Sequence, residues 1–209
     1  MSNSLDSSKI DFIQIGANIG QHGNDPIYPL VIKKGWRGLF VEPLPHSFDK
    51  LRKCYKNISG CYFEMVAISN VDGYVDFNWC EQDESQQASM FKSFADNIKH
   101  CKVSSMKLET LCEKYNLIGV PFKLLQIDAE GADGLILWHT DLKERVIPEY
   151  IRFETCHVGK HYSPTPTLGE VYTHLGNAGY QVVDDIFEHR ESAPKLDVLF
   201  RRLKCSTQS

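Results

Sequence analysis

Asp11-Phe12-Ile13-Gln14-Ile15-Gly16-Ala17-Asn18-Ile19-Gly20-Gln21 is an apolar run that breaks directly into a glycine-rich turn, and the segment after it can form a helix. An open α/β sheet builds a nucleotide-sized site in this way, at the carboxyl end of its first strand. Gly16 and Gly20 let the chain turn tightly and approach a ligand with no Cβ in the way. A dinucleotide fingerprint beginning at Gly16 requires glycine at positions 18 and 21, which are Asn18 and Gln21 here. The pyrophosphate cradle is therefore not written. The Gly-x-Asn-x-Gly pattern suits a ligand with no phosphate to hold, and an ordinary tight strand-to-helix turn is the competing reading of this motif alone.

A second feature stands where an α/β unit would put it. Gly38-Leu39-Phe40-Val41-Glu42-Pro43 is an apolar run ending in a carboxylate. It lies roughly 20 residues beyond the turn, where an acid accepts hydrogen bonds from the hydroxyls of an adenosine ribose. Glu42 is the expected ribose ligand; a solvated acid at a strand end is the blander alternative. Tyr62 to Asn70 forms a third apolar run, closing on Ala67, Ile68 and Ser69, residues suited to flank an adenine ring. Phe122 to Ile127 reads as a buried strand followed by Asp128 and Glu130.

With these segments in order, the chain resembles the FkbM-type methyltransferases, a branch of the S-adenosylmethionine-dependent class I enzymes. The resemblance rests on Ile15 to Gly20, Val41-Glu42-Pro43, Val66 to Ser69, Ala88-Ser89-Met90, Ile127 to Ala132 and Arg152-Phe153-Glu154. It extends over nearly the whole chain, and Asp-x-Glu-Gly-Ala at 128–132 is its most specific part. The resemblance implies S-adenosylmethionine as cofactor. Carried over position by position, it implies contacts from Gln14, Gly16, Ala17, Asn18, Gly20, Glu42, Pro43, Ala67, Ile68 and Asp128. One departure stands out: the family usually carries an acid where this chain has Gln14, so the contact to the charged methionine end of the cofactor is expected to be neutral or moved. The first strand also begins almost at once, leaving little room for covering N-terminal helices.

Apolar runs at 11–15, 38–42, 62–66, 123–127, 150–154, 180–184 and 196–201 alternate with segments long enough for helices, the pattern of a mostly parallel sheet. Seven strands is the count of the class I methyltransferase fold. By that resemblance, an α/β Rossmann-like domain over 10–203 is expected to end in an antiparallel closing strand, between polar tails at 1–9 and 204–209. Gly73 to Trp79 alternates and predicts one small extra strand between the third and fourth, followed by a polar loop over 81–89. Helices are expected at 22–34, 46–56, 108–116, 133–138 and 167–178, with Pro45 and Ser47 as start signals and Gly179 as a stop.

The chain has 209 residues, 42% hydrophobic and 24% charged, which is enough for one sizeable core. A net charge of −4 and short basic clusters argue against a nucleic-acid partner. No apolar stretch approaches the span of a bilayer, and Met1 to Lys9 lacks a signal-peptide core, so a cytoplasmic protein is expected. Seven scattered cysteines with no Cys-x-x-Cys pair read as reduced thiols.

The chemical step is expected at the ends of the fourth and fifth strands, which are neighbours on the ligand side of a parallel sheet. Asp128 is assigned a substrate- or cofactor-facing role, Glu154 an orienting role, and His157 that of general base, because imidazole titrates near neutrality. Asp128 with Glu154 has the chemistry to hold a divalent cation, but no metal is expected. The leading function is methyl transfer to a hydroxyl of a sugar, glycan or secondary metabolite, with a small-molecule or glycan acceptor as partner; self-association stays open. A nicotinamide-dependent oxidoreductase is the alternative within enzymes, weakened by the missing glycine. A binding module without catalysis is the third, and Gln14 is its best support.

Overall fold

In the computed structural model, the described residues are 10–20, 25–80, 88–91, 98–155, 158, 166–183 and 197–203. Ten strands and five helices are formed among them: β1 (Phe12–Ile15), α1 (Tyr28–Lys34), β2 (Gly38–Val41), α2 (Pro45–Cys54), β3 (Cys61–Glu64), β4 (Ala67–Ile68), β5 (Gly73–Cys80), β6 (Ile98–Met106), α3 (Leu108–Lys114), β7 (Phe122–Ile127), α4 (Asp133–Trp138), β8 (Pro148–Glu154), α5 (Leu168–Asn177), β9 (Tyr180–Val182) and β10 (Asp197–Arg202).

Seven strands make one sheet in the order β3-β2-β1-β7-β8-β10-β9. The pairs from β3 through β8 are parallel, while β10 runs antiparallel to both β8 and β9. Every residue of β1 and of β2 is buried, which is why both read as runs of apolar residues, broken in β1 only by Gln14, rather than as alternation. Helices cover both faces. Ile13, Ile15, Leu125 and Ile127 pack with Leu111 of α3, Ile136 of α4 and Val171 and Leu175 of α5. Phe12, Phe40 and Leu124 face the other way, against Val31 of α1 and Leu51 of α2. Each large side chain so buried contributes ~1.5–3 kcal/mol. The three layers hold the carboxyl ends of β1, β2, β7 and β8 in fixed register, with Ile15 opposite both Val41 and Ile127, and Ile127 opposite Phe153.

The stop and start signals operate as read. Pro45 occupies the first turn of α2, where its missing N–H costs nothing. Gly179 takes a left-handed φ of 87° just past α5, which is opened by a capping box between Thr167 and Glu170.

Two expectations need correction. The first helix runs only from Tyr28, because Pro26 and Ile27 form a bend before it. The insertion is larger than one strand: β4, β5 and β6 form a separate three-stranded sheet in the order β4-β6-β5. β6 was illegible because its polar residues Lys99, His100 and Lys102 face out, leaving no apolar run to find. What it supplies is an eight-residue antiparallel pairing with β5, from Gly73 opposite Ser105 to Cys80 opposite Ile98. Cys54, Cys61, Cys101 and Cys112 are free thiols, as expected of scattered cysteines. The loop expected at 81–89 lies outside the described residues up to position 87.

Candidate active site

A cavity opens at the carboxyl ends of β1, β2 and β7, closed on its far side by the small sheet. Its lining includes Gly16 and Asn18 from the first turn, Glu42 and Pro43 after β2, Val66, Ala67 and Ile68, and Asp128, Ala129 and Glu130 after β7. Phe77, Ala88 and Met90 complete it from the insertion. Ser89 holds that side in place. Its backbone exchanges hydrogen bonds with Asn78, and its Oγ donates to the carbonyl of Glu130 at 2.8 Å.

The first turn is shaped by packing. Gly16 has φ 75°, and a Cβ there would lie 1.9 Å from the carbonyl oxygen of Asp128. Gly20 has φ 80°, and its Cβ would meet Leu51 and the Tyr55 ring at 2.7 Å. Both glycines thus allow other protein to approach; Gly16 also lines the cavity, whereas Gly20 does not. Asn18 sits between them at φ 46°, a conformation asparagine tolerates. The Tyr55 hydroxyl donates to the Gly20 carbonyl at 3.0 Å and pins the end of the turn.

Glu42 is 5% exposed, and each of its oxygens accepts one backbone N–H, from Asn18 and from Leu44, both at 2.9 Å. Burial pushes its pKa up to about 7, against the opposing pull of the two N–H donors. A carboxylate offers about four acceptor positions, so two remain open. The Asn18 Oδ1 is also buried, and it has no partner among the described residues. Acceptors in need of hydroxyl donors, beside an apolar slot of Val66, Ala67, Ile68 and Phe77, fit the ribose and ring of an adenosine.

At the other end, Asp128 opens on the cavity with its side chain exposed to it. Its pKa rises to about 6, through desolvation first, then the charges of Glu154 and Asp197, with Arg152 opposing. Carboxylate oxygens of Asp128, Glu130 and Glu154 lie within 4.8 Å of one another. Asp133, fully buried at the start of α4, ties these segments together. Its Oδ2 accepts from the N–H groups of Ala129 and Gly131 at 3.2 and 3.3 Å, and its Oδ1 from that of Glu154 at 3.3 Å. Desolvation and the neighbouring carboxylates raise its pKa to about 8.

Of the residues singled out in the sequence, Gly16, Asn18, Glu42, Pro43, Ala67, Ile68 and Asp128 come together on the cavity, with Glu154 beside Asp128. Gln14, Ala17 and Gly20 lie away from its lining. Ala17 is buried in the core under α1 and α2, and Gln14 bonds to Asp25. His157 lies outside the described residues. Sequence reasoning missed Phe77, Asp133 and Asp25; only Asp133 carried a signal, as an acid in the first turn of a helix.

A family model described as the methyltransferase FkbM domain matches residues 14–182, which include the first turn, Glu42, the insertion, Asp128 and Glu154. The chain belongs to the FkbM methyltransferase family. For this FkbM methyltransferase, membership implies S-adenosylmethionine as methyl donor. Among solved structures, it is similar to the Methanococcus jannaschii fibrillarin pre-rRNA processing protein, with 14% identity and a TM-score of 0.47, over 93% of this chain and 66% of that one. It is also similar to the delta-N METTL16 MTase domain, with 14% identity and a TM-score of 0.40, over 93% of this chain and 72% of that one. No curated protein matches the sequence. Among the described residues, no helix is long and apolar enough to cross a membrane.

Proposed function

We propose that this FkbM methyltransferase transfers the methyl group of S-adenosylmethionine to a hydroxyl of a sugar, glycan or small polyhydroxylated metabolite. The observation that carries this is the polarity of the cavity from end to end. Glu42 and Asn18 stand at one end as acceptors, with Asp128, Glu130 and Glu154 at the other. Three carboxylates repel phosphates and carboxylates and accept hydrogen bonds from hydroxyls. A neutral, hydroxyl-rich acceptor is therefore favoured over a nucleic acid.

S-adenosylmethionine supplies a methyl group already activated on its sulfonium. Holding the acceptor in line with it is the main task, and good orientation alone can lower a barrier by ~7–11 kcal/mol. Ala67 and Ile68 flank the adenine, and Glu42 takes the ribose hydroxyls. Asp128, with a pKa raised to about 6, is largely ionised at neutral pH yet basic enough to accept the acceptor's hydroxyl proton. The charge of Glu154 raises the basicity of that carboxyl, and Asp133 fixes the loop that carries it. His157 stays the alternative base. The protein is expected to act in the cytoplasm.

The test is mass spectrometry of sugars, glycans and metabolites incubated with the protein and an isotopically labelled methyl donor. Label on a hydroxyl oxygen supports the reading. Label confined to amines or thiols, or a protein that binds NAD in preference to S-adenosylmethionine, overturns it.

A further inference from the structure

On the sheet face turned towards α1 and α2, β1, β7 and β8 carry a row of buried polar side chains where apolar ones would be expected. Gln14, Gln126 and Arg152 stand at consecutive register positions across the three strands, at 4%, 2% and 9% exposure. The far half of the row is paired across the strands. The Arg152 guanidinium donates to the Gln126 Oε1 at 2.9 Å and pairs with the carboxylate of Asp197.

The near half is not. The Gln14 Nε2 donates to the Asp25 Oδ1 at 3.2 Å, and that oxygen also accepts the N–H of Ile27 at 2.8 Å. Gln14 Oε1 and Asp25 Oδ2 are then both buried without a hydrogen-bond partner among the described residues. A buried orphan acceptor costs ~1–3 kcal/mol, and more when it is charged. Two such oxygens on one hydrogen-bonded pair, one of them on a carboxyl group, are matched by a ligand group that carries several N–H donors, as an ammonium does. Gln14 stands two residues before Gly16 of the cavity lining, and the charge of Asp25 is near enough to act on Asp128.

We propose that Gln14 and Asp25 together receive the α-ammonium group of the amino-acid end of S-adenosylmethionine. The pair supplies from two segments the carboxylate that position 14 lacks: Gln14 holds the Asp25 carboxylate by its amide N–H and presents its own carbonyl oxygen beside it. This assignment rests on the reading of the cavity as the cofactor site, and gives Gln14 a binding role that a defunct site would not need.

The test is calorimetric titration of the purified protein with S-adenosylhomocysteine and with its deamino counterpart, in which hydrogen replaces the amine. The natural protein should prefer S-adenosylhomocysteine by ~10–100-fold, the range expected for a hydrogen bond to a charged group. Asp25→Asn should remove most of that preference and leave the deamino ligand bound as before. Adding Gln14→Glu to that variant should restore it, by moving the carboxylate back onto β1. Equal affinity of the natural protein for the two ligands overturns the proposal, whether or not the variants fold. So does a loss in Asp25→Asn that falls equally on both ligands, or no loss at all. Failure of the natural protein to bind either ligand, or 5′-methylthioadenosine, removes the cofactor reading itself and this proposal with it.

Discussion

Glu42 should make cofactor affinity depend on pH in a direction that its environment dictates. In the unliganded protein its pKa is about 7, against 4.5 for the ordinary group, because burial opposes its charge. That difference corresponds to ~3 kcal/mol of destabilisation when the group is ionised. The folded-state pKa is raised, so the favourable contribution is complete below the unfolded pKa and is lost as pH rises through about 7. Ribose hydroxyls donating to the two open acceptor positions reverse the preference, since they favour the carboxylate. Binding therefore draws on the ionised fraction. Two pH values bracket the transition: at pH 6 only ~10% of the free protein is ready and at pH 8 ~90%, so affinity for S-adenosylhomocysteine should tighten ~10-fold between them. Titration calorimetry at pH 6 in buffers of different ionisation enthalpy should record close to one proton released per ligand bound. Glu42→Gln should largely flatten this slope and, at pH 8, weaken binding by ~10–100-fold through the lost charged acceptor. Affinity that is flat, or that improves on acidification, refutes the account, as does a slope that survives in Glu42→Gln.

Asp128→Asn should lower turnover by ~10²–10⁴-fold and change affinity for S-adenosylhomocysteine little. A base of pKa about 6 must be ionised to act, so the natural rate should rise with pH through that value, and this acid limb should vanish in the variant. If the limb persists, His157 takes over the assignment. Gly16→Ala places a Cβ 1.9 Å from the Asp128 carbonyl in a left-handed conformation and should destabilise the fold by at least ~2 kcal/mol in urea unfolding. Near-natural stability would mean that the turn does not hold this shape. Turnover should survive a chelator, because Asp128 acting as base and a methyl group already activated on its sulfonium need no ion. Activity lost on chelation and restored by magnesium would make those three carboxylates ligands.

The seven strands of the main sheet, the glycine turn, Glu42 and Asp128 were legible in the sequence because each is a local signal. A strand buried on both faces is mostly apolar, as Phe12 to Ile15 is apart from Gln14, and the residue that ends it is named by position. Helix limits followed from Pro45 and Gly179 for the same reason: a fixed φ and a left-handed φ act within one turn. What only the tertiary structure decided depends on distance along the chain. β6 is polar on its exposed face and becomes a strand because β5 and β4 lie either side of it. Met90 and Ala88 reach the cavity because Asn78 and Glu130 hold Ser89, 11 and 41 residues away. Asp25 meets Gln14 across 11 residues, and Asp133 joins the ends of β7 and β8 by accepting from both. Periodicity and capping record what a residue does to its own few neighbours, whereas desolvation and buried hydrogen bonding depend on every segment that closes around a group. The sequence by itself therefore determined the sheet and the positions at its carboxyl edge. Folding decided which of those carboxylates are buried, which share a charge, and which acceptors still lack a donor.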